Sequence, residues 1–259
     1  MKNIKYSTAL ILLSATASAQ SPPADVLNFV SCPIVRDTST VPCWLSEYEG
    51  ELYYLGIQTD ISADFHPPYL GHQVIVEGRI SEQPRICGGI VLEPVKLSVV
   101  PELDKNCDTM LPAEDRYQVD FSPRPPGPSG GQLAFQRSGP RPQAAETPAG
   151  PREFIIGYSF DGKVEGTNAS DLSAIVRHAE TIGATQIKVI GYAGGVLLSN
   201  GSMLAEKPGL AQARAEEAAT LLKAGGLAGL SFEVSWEPPL PADGVDDWEA
   251  RRTEVIVLP

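Results

Sequence analysis

Four thiols are the residues with the most sharply defined chemistry: Cys32, Cys43, Cys87 and Cys107, all before the midpoint of the chain. An even set of cysteines either oxidises to disulfides or holds a metal. No two of them have the close Cys-x-x-Cys spacing of a structural zinc site, so they read as two disulfides. Three pairings are open, and Cys32–Cys43 with Cys87–Cys107 is the expected one because each closes a short local loop. His66 and His72 flank Pro67, Pro68 and Gly71. Two imidazoles in a loop are potential cation ligands, but two prolines and a glycine make the segment a rigid turn between strands, and no metal is expected there. No serine reads as a nucleophile elbow, and the histidines have no evident nucleophile or acid partner. The chain therefore reads as a non-enzyme with no catalytic residue and no cofactor. The acid pairs Asp246–Asp247 and Glu216–Glu217 read as solvated faces.

The oxidising compartment that disulfides need is matched by the start of the chain. Lys2 and Lys5 precede the apolar run Ala9–Leu13, and Ala17-Ser18-Ala19 follows. This is the pattern of a cleaved export signal over residues 1–19. The apolar run is far shorter than the roughly 20 residues that span a bilayer, and no later segment is long and apolar enough. The expectation is a periplasmic protein with no transmembrane segment in its mature form. Net charge is −12, which repels nucleic acid and anionic membrane surfaces. Nucleic acid is not an expected partner.

The elements that would hold these residues fall into two blocks. Residues 24–120 read as all-β: Glu51–Ile57 is rich in aromatic and branched residues, Gln73–Ile80 alternates with period two, and Gly89–Val100 is a further strand pattern interrupted at Pro94. The pattern resembles the oligonucleotide/oligosaccharide-binding (OB) barrel, which implies a small barrel in this half. Residues 121–151 are rich in Pro, Gly and Ala, carry few large apolar side chains, and read as a semi-stiff, basic spacer. The halves on either side are expected to fold independently.

Residues 152–259 alternate strands and helices. Glu153–Phe160 is a strand. Leu172, Ile175, Val176, Ala179 and Ile182 recur at helical spacing behind Asn168 and Ser170, and Gly183 stops the helix. Gln186–Gly191 is a strand, Leu210–Lys223 a helix ended by Gly225-Gly226, and Leu230–Trp236 and Thr253–Leu258 are strands. This order implies an α/β sandwich.

Four ordered motifs give this half a resemblance to the peptidoglycan-binding OmpA-like family, with its βαβαβ fold. They are Tyr158-Ser159-Phe160-Asp161, Ile187–Tyr192, Asn200 followed by Leu210–Ala215, and Ala250–Ile256. In that family an acid after the second strand and an arginine on the second helix hold the two charged ends of diaminopimelate in the wall peptide. The resemblance implies that Arg214 keeps the carboxylate-gripping half of this clamp. Gly194 stands where the acid belongs, Tyr192 where a histidine does, and the loop through Asn200 and Gly201 is longer. Glu206, in that loop, is the candidate substitute acid. Arg214 reads equally as a salt bridge to a helix Glu, and Arg251 and Arg252 as strand-flanking cations facing acids. The resemblance thus implies a ligand set of Arg214, Tyr192, Gly194 and Asn200 that contacts peptidoglycan weakly. The alternative is an envelope protein–protein scaffold that has lost wall binding.

Overall fold

A computed structural model describes residues 23–57, 68–117, 119, 150–163 and 168–259. The expected export signal, His66 and all of the spacer up to residue 149 lie outside the described residues.

The first half forms one sheet of seven strands: β1 Val26–Ser31, β2 Pro33–Arg36, β3 Cys43–Tyr48, β4 Glu51–Ile57, β5 His72–Ile80, β6 Ile90–Leu103 and β7 Met110–Leu111. The hydrogen-bonded order is β1-β5-β6-β4-β3-β2-β7. The sheet is therefore an open series with β1 and β7 at its ends, where a closed barrel was expected. Its two flanks are nevertheless covalently close. Only Cys32 separates β1 from β2, so the run 26–36 bonds β5 through its first part and β3 through its second. β4 and β6 pair in parallel. Phe29, Trp44, Tyr53, Leu55, Val74, Val76 and Leu92 fill the core. Because successive strand residues face opposite sides, Val74 and Val76 enter that core while Ile75 and Glu77 point outward, yet all four are buried.

The disulfides are Cys32–Cys107 and Cys43–Cys87, separated by 75 and 44 residues. This corrects the local pairing, and strand register is the reason. β2 and β3 run antiparallel with Arg36 opposite Cys43, which carries Cys32 to the far end of the pair. β7 lies parallel to β2 with Val35 beside Met110, and this brings Cys107 alongside Cys32. Both bridges therefore join segments distant in sequence.

In the second half, β8 Arg152–Gly157, α1 Ala169–Ile182, β9 Gln186–Gly191, β10 Gly195–Leu197, β11 Met203–Ala205, α2 Leu210–Leu222, β12 Ser231–Trp236 and β13 Arg252–Leu258 follow in order. Four of the strands form a sheet ordered β12-β9-β13-β8, and β10 with β11 make a separate hairpin. β9 buries every second residue. Ile187 and Val189 meet Ile156, Val255 and Val257 in one layer, and Ile175, Ala179, Ala215, Ala218, Ala219 and Leu222 of the two helices cover it. The alanines of α2 allow close approach. At its tightest point, a Cβ on Gly191 would lie 2.0 Å from the Ala211 carbonyl oxygen, so only glycine fits there. Gly183 ends α1 at φ 62° with its N–H on the Ala179 and Glu180 carbonyls. Among the described residues no helix is long and apolar enough to cross a membrane.

The two halves are packed together. Glu77 of β5 and Arg251 form an ion pair with side chains 0% and 1% exposed. At the hairpin tip Ser199 N–H donates to the Asn28 carbonyl of β1, and Asn28 N–H donates to Ser199 Oγ. The Asn28 side-chain amide donates to the Leu197 and Gly244 carbonyls. Phe160 N–H donates to Ser98 Oγ at 2.8 Å, and Arg79 pairs with Asp246 at 2.7 Å. Asp247, expected on a solvated face, is buried and accepts from the backbone N–H groups of Leu197, Asp243 and Gly244. The outward polar residues of β1, β5 and β6 are buried because the second half covers that face.

Candidate functional site

The second half was expected to carry a ligand clamp on Arg214, and the geometry there begins with the hairpin. β10 and β11 pair from Gly195↔Ala205 to Leu197↔Met203. The next residue along, Glu206, therefore emerges beside Gly194, which immediately precedes β10. Pro208 and Gly209, the latter at φ 82°, turn the chain into α2. One turn into that helix, Arg214 points back beneath the hairpin.

Arg214 and Glu206 meet as a bidentate pair. Nη2 donates to Oε1 at 2.6 Å and Nη1 to Oε2 at 2.9 Å, with side chains 0% and 1% exposed. The remaining guanidinium hydrogens are also used. Nε donates to the Gly162 carbonyl at 2.9 Å, Nη1 to the Tyr192 carbonyl at 3.0 Å and Nη2 to the Ser159 carbonyl at 3.4 Å. All the donors an arginine possesses are thus engaged. Glu206 is equally well held. Its Oε1 accepts from Asp161 N–H at 2.9 Å and its Oε2 from Gly194 N–H at 3.0 Å. The Tyr158 ring lies 4.8 Å from the guanidinium, and burial pushes its hydroxyl up to about 12.

The residues of the expected ligand set lie in different surroundings. Arg214 has no N–H left for an external carboxylate. Gly194 contributes its backbone N–H to Glu206, and a Cβ there would meet the Ala250 Cβ at 2.6 Å, so an aspartate cannot be restored at that position without displacing its neighbours. Tyr192 joins through its carbonyl alone. Its side chain lies on the opposite face of the sheet, where the hydroxyl donates to Glu254 at 2.9 Å and Arg252 stacks 4.4 Å from the ring. Asn200 is exposed at the hairpin turn, where its side-chain oxygen accepts from Ser202 N–H and Oγ. Of the candidate residues, only Arg214 with Glu206 forms a buried centre. Sequence reading reached both but not their mutual satisfaction, because a glycine-rich loop gives no sign of folding back as a hairpin.

Glu206 and Gly194 of this centre border open space. An apolar groove of about 680 Å³, lined in part by Met203, Leu210, Trp236 and Leu240, runs beside it. His72, expected in a turn, is the first residue of β5, and its Nδ1 is tied to the Val100 carbonyl at 2.8 Å. The closest grouping of potential metal ligands among the described residues is Cys32, Asp104 and Cys107, and both of those sulfurs are in the disulfide. No family model matches the chain, and a search of the curated proteins finds no match.

Proposed function

We propose that this protein is a non-enzymatic scaffold of the cell envelope, with an OmpA-like second half whose wall-peptide clamp is closed from within by Glu206. The observation that carries this reading is the complete use of the Arg214 donors by Glu206 and three backbone carbonyls. A ligand carboxylate would have to displace an intramolecular one already bound at both oxygens. The intramolecular competitor pays no loss of translational freedom, so it has the advantage over a free peptide. The βαβαβ succession of β8, α1, β9, α2 and β12 supports the OmpA-like assignment. For the first half, an OB-like reading is supported by the single run 26–36 that bonds β5 and β3, together with the parallel β4–β6 pair. Export to the periplasm is supported by two disulfides in one half.

Sedimentation with purified sacculi tests the reading. The expected result is that the protein stays in the supernatant at physiological salt. Co-sedimentation that Arg214→Lys abolishes would overturn it and restore the wall-binding alternative.

A further inference from the structure

A second arginine is buried without the neutralisation that Arg214 enjoys. Arg36, the last residue of β2, is 7% exposed, and among the described residues no carboxylate lies within ion-pair distance of it. It donates through Nη1 to the Cys87 carbonyl at 2.6 Å, while its Nε has no partner. Its guanidinium lies 4.3 Å from the centre of the Tyr117 ring, and Arg116 lies 4.7 Å from the same ring. A buried permanent cation without a counter-charge is unfavourable unless the surroundings provide one.

A cavity of about 600 Å³ opens directly over this group, lined by Arg85, Ile86, Cys87, Gly88, Arg116 and Tyr117. Gly88 makes its floor thin. A Cβ there would lie 2.7 Å from Arg36 Nη1 and 2.9 Å from the Tyr117 hydroxyl, so Arg36 stands immediately behind the floor. Cys87 and Gly88 form a tight turn with φ 52° and 83°, closed by reciprocal Ile86–Gly89 hydrogen bonds and anchored to β3 by the Cys43–Cys87 bridge. The rim arginines pair with solvent-accessible acids, Glu51 on Arg85 at 2.8 Å and Glu114 on Arg116 at 2.6 Å, and Arg85 Nη1 also donates to the Gly88 carbonyl at 3.2 Å. Such pairs are weak and easily exchanged. Among the described residues these three guanidiniums have two carboxylates within ion-pair distance.

We propose that this cavity is an oxyanion site, taking a single carboxylate or phosphate group. Arg85 and Arg116 bind the group from the rim through their N–H forks, and Arg36 supplies its charge from behind the floor. The tyrosine ring holds two of the three cations in place.

The test uses the full chain with its disulfides intact. Sodium phosphate and, separately, sodium acetate are titrated at constant ionic strength against chloride, and the amide signals of Gly88 and Tyr117 and the arginine Nε–H signals are followed by NMR. The expected result is saturable shifts confined to these groups, with a midpoint in roughly the millimolar range for at least one anion. The exposed double variant Arg85→Gln/Arg116→Gln keeps the fold and should raise that midpoint by about tenfold or more. Which anion saturates first assigns the group as tetrahedral or planar. Linear shifts spread over the surface, or a midpoint unchanged in the double variant, would overturn the proposal.

Discussion

Among the described residues two arginine–carboxylate pairs are buried, and they are built to different standards. Arg214–Glu206 lies inside the second half, with every guanidinium hydrogen bonded and both carboxylate oxygens doubly held. Arg251–Glu77 lies between the halves. There the arginine meets both oxygens of Glu77 but its Nε has no partner, and burial pushes the Glu77 carboxyl up against the opposing pull of Arg251. The first pair is a finished structural centre. The second is an imperfectly satisfied weld, of the kind that fixes how two surfaces meet more than how tightly.

Breaking the complete pair should have the largest effect. Glu206→Ala leaves a fully buried guanidinium unpaired and should destabilise the second half by about 3–5 kcal/mol in urea denaturation. A loss within about 0.5 kcal/mol, the range of an ordinary surface substitution, would show that Glu206 does not close the centre. Removing Arg251 alone should also be costly, because Glu77 would remain buried. The double variant Glu77→Leu/Arg251→Met should recover most of that loss, since apolar replacements of buried pairs are often neutral. A double variant as unstable as the single one would mean the pair itself holds the halves together. Reducing the disulfides comes next, at about 2–4 kcal/mol each. Non-reducing peptide mapping should recover Cys32 with Cys107 and Cys43 with Cys87, and the local pairing would contradict the register described above.

The smallest effect concerns pH and sharpens the contrast between the pairs. A carboxyl raised in the folded state holds its proton more tightly there than in the unfolded chain. Its contribution is fully present below the unfolded carboxyl range and is lost as pH rises through the folded value. The stability of wild type relative to Glu77→Gln should therefore improve as pH falls from neutral toward the carboxylate range. Parallel denaturation curves at several pH values check the sign, and a relative loss on acidification would reverse it.

These contrasts also mark what was legible in the sequence. Period-two strands such as 73–80 and the 3.6-period face of α1 appear within a residue or two of their expected bounds, because each is dictated by its own apolar spacing. β1, β2 and β3, between Val26 and Tyr48, escaped notice. Their shortness and their interruption by Cys32 and Pro33 hide the alternation. The weld was illegible for a different reason: Asn28, Glu77 and Ser98 are polar residues on alternate strand positions, which is how a solvent-facing side reads. Only a partner surface makes them buried. The disulfide pairing was likewise a matter of sheet register and not of loop length. At the candidate site Arg214 was visible from its helix motif, whereas the hairpin that delivers Glu206 depends on three-residue strands too short to carry a pattern.

The central claim is that Glu206 occupies the position an external carboxylate would need. Titrating a diaminopimelate-containing peptide into the wild-type chain while following the Arg214 Nε–H resonance tests it most directly. That signal should stay at its peptide-free position, bonded to the Gly162 carbonyl, through millimolar peptide. A saturable displacement of that signal would contradict it.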